Sequence, residues 1–136
     1  QPDTNAYIIN TAVLSSVNKR IIDEDKRIES HYDDSIDIKD AFNRSILPVC
    51  TTVLYITLPK KYTGGRLNLK PFGSFSLYCK SYTPIQGRKL TFRGDTYHSV
   101  EPFTCEKGEK RISLVFEQYK IPDEYMYLTD FEIDKR

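Results

Sequence analysis

The sequence has no tryptophan, one methionine and only two histidines in 136 residues. Any imidazole chemistry must therefore use His31, His98 or both. Cysteine is almost as scarce. Cys50, Cys79 and Cys105 are odd in number, widely spaced and without a C-x-x-C pair, which argues against a disulfide framework and a zinc knuckle and points to a reducing, intracellular setting such as the cytoplasm. With no third histidine to activate a thiol or hydroxyl, Cys-His and Ser-His hydrolase mechanisms drop out, and Cys79 and Cys105 read as packing residues. No apolar run approaches the roughly 18 residues of a membrane span, so no membrane partner is expected. Neither charge sign dominates: 20 basic and 19 acidic side chains give a net charge of +1. Acidic residues gather in 122–136, which leaves the body mildly basic and far from a nucleic-acid signature. The opening QPDTNAYIIN has neither a basic segment nor an apolar core of a signal peptide. Because it starts with Gln1, the chain is expected to begin part-way through a longer product and to lack an N-terminal segment.

What the sequence does contain is strand pattern. KRIIDEDKRIES alternates weakly, TTVLYITL is a β-branched apolar run, and RLNLKP, SFSLYCKSY and RKLTF alternate. RISLVFEQYKI is the strongest strand of the chain. Turn signals separate these runs at Pro59, Gly64-Gly65, Pro71 to Gly73, Pro84 to Gly87, Gly94-Asp95 and Lys107-Gly108. The length suits one domain, 1–136, with a core of about residues 20–120. Short, regularly punctuated strands predict an all-β sandwich, jelly roll or barrel. Asn5 to Lys19 reads as a short helix or a strand, and Pro122 to Phe131 as a terminal helical turn.

Each histidine falls near the end of a strand, and the first stands in SHYDDS, residues 30–35. Side chains alternate along a strand, so His31 and Asp33 share a face while Tyr32 and Asp34 point away. His98, sixty-seven residues on in DTYHSVEP, would complete a set of two imidazoles and one carboxylate. Such a set suits non-haem Fe(II), with open positions for co-substrate and dioxygen; zinc accepts the same ligands. Arg111 and Ser113 share a face of the last strand, and a guanidinium fork beside a hydroxyl is suited to a carboxylate.

These residues resemble the Fe(II)- and 2-oxoglutarate-dependent dioxygenases, a superfamily built on the double-stranded β-helix, a form of jelly roll. His31-x-Asp33 and His98 resemble its H-x-D…H iron ligands, and Arg111-x-Ser113 its R-x-S pair for the distal carboxylate of 2-oxoglutarate. VLYITLPKKYTGGRLNL and PIQGRKLTFRGDTYHSVEPF are most similar to the prolyl-4-hydroxylase-like branch. There Tyr55 corresponds to a tyrosine that often touches 2-oxoglutarate. The resemblance implies Fe(II), 2-oxoglutarate and dioxygen, release of succinate and CO2, and hydroxylation of an unactivated C–H bond in an amino-acid or peptidyl, prolyl-type substrate. HYDD and RISLVF also resemble the AlkB-like nucleic-acid demethylases, but Glu117 stands where that branch has an arginine, and nucleic acid is not the expected partner. A non-catalytic jelly-roll binding module and a zinc or manganese cupin remain as alternatives.

Several features have plain structural readings. Tyr55 is open between core packing and a hydrogen bond to co-substrate, since a buried phenol needs a partner. Gly64-Gly65 is expected at a tight hairpin. Lys60, Lys61, Arg66 and Lys70 are expected to solubilise that hairpin, Asp34 to lie in a turn, and Arg44 to face either substrate or solvent.

Overall fold

The computed structural model describes residues 4–15, 28–34, 39, 42–70 and 79–128. Ten strands are described: β1 (Ala6–Ser15), β2 (Ile28–His31), β3 (Cys50–Thr57), β4 (Tyr62–Gly64), β5 (Leu67–Lys70), β6 (Lys80–Tyr82), β7 (Lys89–Arg93), β8 (Tyr97–Val100), β9 (Phe103–Cys105) and β10 (Lys110–Tyr119). A short 3-10 helix, Asp123–Leu128, follows the last strand. The larger sheet has the order β1-β10-β3-β7 and the smaller β2-β8-β5-β6, both wholly antiparallel, with β4 and β9 forming a separate ribbon. The expected all-β jelly-roll architecture is present. Asn5 to Lys19 resolves to a strand over Ala6–Ser15; Ser16 to Lys19 lie outside the described residues, as do Pro71 to Gly73, Thr129 to Phe131 and parts of KRIIDEDKRIES and SFSLYCKSY. No helix among the described residues is long and apolar enough to cross a membrane.

The core lies between the two sheets. Val53, Tyr55 and Phe92 of the larger sheet meet Leu67, Leu69 and Val100 of the smaller. Each set follows the two-residue period that sends alternate side chains to one face. Along β10 the inward residues are Arg111, Ser113, Val115, Glu117 and Tyr119, four of them buried despite three being polar. A polar row facing a core requires partners or a ligand, so this strand's inner face marks the site. A second cluster of Ala6, Tyr119 and Ile121 closes one end of the sandwich, where Asn5 exchanges side-chain bonds with both backbone groups of Ile121.

The Gly64-Gly65 pair is not the tip of a hairpin. β4 pairs with β9 and β5 with β8 and β6, so the glycines carry the chain from the ribbon into the smaller sheet. Both have positive φ, and a Cβ on Gly64 would stand 1.9 Å from the Pro102 carbonyl oxygen. Only glycine fits that approach.

Candidate functional site

His31 ends β2, His98 lies within β8, and the antiparallel register sets them opposite one another. Ile28 faces Val100 in the same pairing, so β2 uses three residues where β8 uses two. The extra residue is a β-bulge, a device that re-aims side chains. It lets Ile28 pack on the core and His31, three positions later, line the same cavity.

Backbone carbonyls fix both rings. Nδ1 of His98 donates to Thr96 O at 3.0 Å, and Nδ1 of His31 donates to Glu29 O at 2.7 Å. A carbonyl only accepts, so Nδ1 holds the proton in each ring and the Nε2 lone pair is left for the cavity. The two Nε2 atoms stand 3.6 and 3.5 Å from Asp33 Oδ1, and Thr51 Oγ1 donates to Asp33 Oδ2 at 2.6 Å. One ligand atom from each of the three residues falls within 4.8 Å of the others. Ligands on one face of an ion at about 2.1 Å stand about 3.0–3.4 Å apart, so the widest gap in this group must close by about 1.5 Å to hold one.

The electrostatics favour that use at Asp33 and His98 and oppose it at His31, where a raised pKa favours the protonated ring. Burial alone would raise the Asp33 carboxyl, but the nearby His31 ring and the bond from Thr51 outweigh it and hold the group below its ordinary value. Burial pushes His98 down, towards the neutral form that binds metal, while the contact with Asp33 raises His31. His98 and Asp33 are buried, and the His31 side chain is 41% exposed, so the corner opens to solvent past His31.

The other end of the cavity is built around Arg111. Its guanidinium donates from Nε to Ser113 Oγ at 3.2 Å and from Nη1 to Gly65 O at 2.8 Å. Residues 111 and 113 thus share a face, as alternation predicts, and Gly65 has a second role. A Cβ there would come within 2.7 Å of Phe103 and 3.2 Å of Arg111 Nη1. Arg111 is 3% exposed, and no carboxylate pairs with it among the described residues. Burial accordingly lowers its pKa.

Tyr55 lies across from Ser113, after a register shift that leaves Ile56 bulged and exposed. Its ring stands 4.8 Å from the Arg111 guanidinium carbon and is fully buried. The hydroxyl has no hydrogen-bond partner among the described residues, and burial raises its pKa. Buried phenols almost always find a partner, so this hydroxyl is a spare donor beside Arg111.

A cavity of about 160 Å³ connects the two ends, walled by His31, Asp33, His98, Arg111, Ser113 and Glu117 among others. All five of the metal- and carboxylate-binding candidates other than Tyr55 lie on that wall. Two residues that matter escaped the motif reading, and a third entered it only as a departure from a motif. Thr51 holds Asp33, and its place inside TTVLYITL on the same face as Val53 and Tyr55 was the available signal. Asn10 donates to Glu117 Oε1 at 3.3 Å, and only the β1 to β10 pairing brings it there. Glu117 is buried on the cavity wall, six residues from Arg111 on the same face, a position that alternation alone indicates.

The remaining candidates have structural roles. Asp34 accepts from Ser45 Oγ and the Ile46 N–H and pairs with Lys39, pinning the following loop. Tyr32 is turned outward against Tyr97. Arg44 donates to the Tyr125 hydroxyl. Lys61 and Arg66 pair separately with Glu106 and Glu101, and do not form one basic patch. Cys79 is exposed, which corrects its reading as a packing residue; Cys105 is partly buried and donates to Glu109 O.

No protein-family model matches the chain, and no curated protein sequence matches it. Solved structures do. A Pseudomonas putida prolyl-4-hydroxylase superposes with a TM-score of 0.57 at 17% identity, over 88% of this chain and 55% of its own. A Burkholderia pseudomallei oxidoreductase of the 2OG-Fe(II) oxygenase family superposes with a TM-score of 0.52 at 18% identity, over 85% of this chain and 44% of its own. At such identities the likeness establishes a shared fold. The chain spans about half the length of these structures.

Proposed function

We propose that the chain is an Fe(II)- and 2-oxoglutarate-dependent dioxygenase domain, comprising residues 1–136, that hydroxylates an unactivated C–H bond. The observation that carries this reading is one cavity with two complementary ends: a histidine-aspartate-histidine corner at one, and at the other a buried arginine that has no counter-ion, beside a phenol that has no partner, among the described residues. The donor set suits Fe(II), and the anchor suits a dicarboxylate.

On this reading His31, Asp33 and His98 hold the metal through two Nε2 atoms and a carboxylate oxygen. Bound iron would supply dioxygen activation coupled to oxidative decarboxylation of 2-oxoglutarate to succinate and CO2. Arg111 grips the far carboxylate, Ser113 keeps the guanidinium in its plane, and Tyr55 donates the hydrogen bond its hydroxyl lacks. The burial of Tyr55, Arg111 and Ser113 keeps water from that end, where charged hydrogen bonds are then strongest. The carbonyls of Glu29 and Thr96 hold the imidazole protons away from the metal side.

The fold shared with a prolyl-4-hydroxylase supports an amino-acid or peptidyl, prolyl-type substrate. The near-neutral charge balance argues against nucleic acid, because a groove that tracks phosphates needs a strongly basic surface. The test is succinate formation from 2-oxoglutarate on admitting oxygen to anaerobic protein with Fe(II). Oxygen-dependent succinate is expected; turnover that persists in His98→Ala or Asp33→Ala would overturn the assignment.

A further inference from the structure

Resting on the oxygenase reading for its place beside the metal corner, we propose that Glu117 is a substrate-binding residue that receives a protonated amine. The substrates of this site would then be free amines: an amino acid, an N-terminal residue or a basic side chain, in preference to an internal peptide-bonded proline.

Glu117 is 7% exposed and lies on the wall of the cavity that holds His31, Asp33 and His98. Asn10 donates to Oε1 and Tyr119 to Oε2 at 2.6 Å. Two donors, one on each oxygen, set the orientation of the carboxylate and leave each oxygen able to accept again. No lysine or arginine pairs with it among the described residues. Burial raises the Glu117 pKa, so its ionised form is costly without a cation, and a bound cation relieves that cost.

Its position identifies what that something is. Glu117 is the cross-strand neighbour of Thr51, and Thr51 holds Asp33. The acid is thus one strand from the ligand corner. Arg111, by contrast, is six residues away on the same strand, roughly 20 Å along it at about 3.3 Å per residue. One end of β10's inner face therefore offers a cation to a carboxylate, and the other offers a carboxylate to a cation, with the ligand corner nearer the second. The net charge of the loaded cavity points the same way. Bound Fe(II) and dianionic 2-oxoglutarate would cancel and Arg111 offsets Asp33, so an ionised Glu117 is left over. A protonated amine entering past half-exposed His31 supplies the balance.

A clamp joining β1 to β10 through Asn10 would also explain a buried Glu117, and ligand discrimination separates the two. Full-length protein loaded with redox-inert Zn(II) is titrated by calorimetry with pyrrolidinium and with tetrahydrofuran, five-membered rings of similar size that differ in charge, with and without 2-oxoglutarate. Pyrrolidinium is expected to bind at least about tenfold more tightly, the scale of a hydrogen bond to a charged group. Glu117→Gln should bring the ratio near one while 2-oxoglutarate affinity is retained. Equal binding to the natural protein, or a preference that survives Glu117→Gln, overturns the proposal. If Glu117→Gln fails to fold, the carboxyl carbon signals of ¹³C-glutamate-labelled natural protein replace it. One resonance must move with pyrrolidinium and not with tetrahydrofuran; no such movement overturns the proposal. An intact amine preference in protein that does not bind 2-oxoglutarate upholds the cation site and overturns the oxygenase reading.

Discussion

At the His31-Asp33-His98 corner the atoms turned from the cavity are already bonded: Nδ1 of each ring to a carbonyl, Oδ2 of Asp33 to Thr51. At the Arg111 end, among the described residues, a charge has only neutral acceptors and a phenol has none. The difference teaches how a site can be organised before its ligands arrive. Metal ligands must converge within tenths of an ångström, so their orientation is fixed by contacts that need no metal. A co-substrate anchor holds back donors, because a guanidinium already paired to a carboxylate would have to give up that pair to bind another. If this contrast is real, substitutions at the two ends should fail differently.

The largest effect is expected at the corner. Asp33→Ala removes a ligand and the acceptor for Thr51 together, and its loss of Fe(II) affinity and turnover should exceed the about 10–100-fold that outer partners of metal ligands carry. Metal titration followed by a succinate assay measures both. Next comes the anchor. Arg111→Met keeps the length of the side chain without its charge, and should raise the KM for 2-oxoglutarate about 10–100-fold, as expected for hydrogen bonds between charged groups, while leaving Fe(II) affinity within a few-fold. Equal damage to metal and co-substrate binding would show that the two ends are one unit.

The same contrast explains what could be read in the sequence. Arg111, Ser113 and Glu117 lie on a strand whose alternation continues from Lys110 to Tyr119, so their shared face followed from period two alone. Strands β3, β5, β6, β7 and β10 were legible for the same reason, whereas β4, β8 and β9 are too short to show a period and β1 read equally as helix or strand. His31 is different. Counting in twos from inward-facing Ile28 would send Ser30 inward and His31 out, and only the bulge in β2 reverses that parity. A local repeat does not encode a bulge, so the histidine was found through its motif. Asn10 was beyond either route, because its meeting with Glu117 depends on pairing strands at opposite ends of the chain. The hairpin expected at Gly64-Gly65 failed for a related reason: glycine shows that the chain turns but not which strands pair afterwards. Here the turn serves Arg111, which takes the Gly65 carbonyl.

A smaller effect tests preorganisation directly. Thr51→Val is nearly isosteric and removes the donor to Asp33 Oδ2, so metal affinity should fall about tenfold with little change in the KM for 2-oxoglutarate. A change confined to the co-substrate would instead assign Thr51 to the wrong end of the cavity.

The smallest change should be the most discriminating. Tyr55→Phe removes a hydroxyl that is buried without a partner among the described residues and leaves the ring against Arg111. In protein without ligands the deletion removes an uncompensated polar group, and stability should rise by about 1 kcal/mol. For a domain of this size that is a shift of a few degrees in Tm. With 2-oxoglutarate bound the gain is cancelled: the hydroxyl is then a donor with an acceptor, and its loss should weaken co-substrate binding by roughly fivefold, about 1 kcal/mol. Thermal melts with and without saturating 2-oxoglutarate and a redox-inert metal measure both sides on one sample. If Tyr55 is only a packing residue, the variant's gain is the same in both melts. A larger gain without the ligand than with it marks a donor held in reserve at the Arg111 end, the property that separates this end of the cavity from the histidine corner.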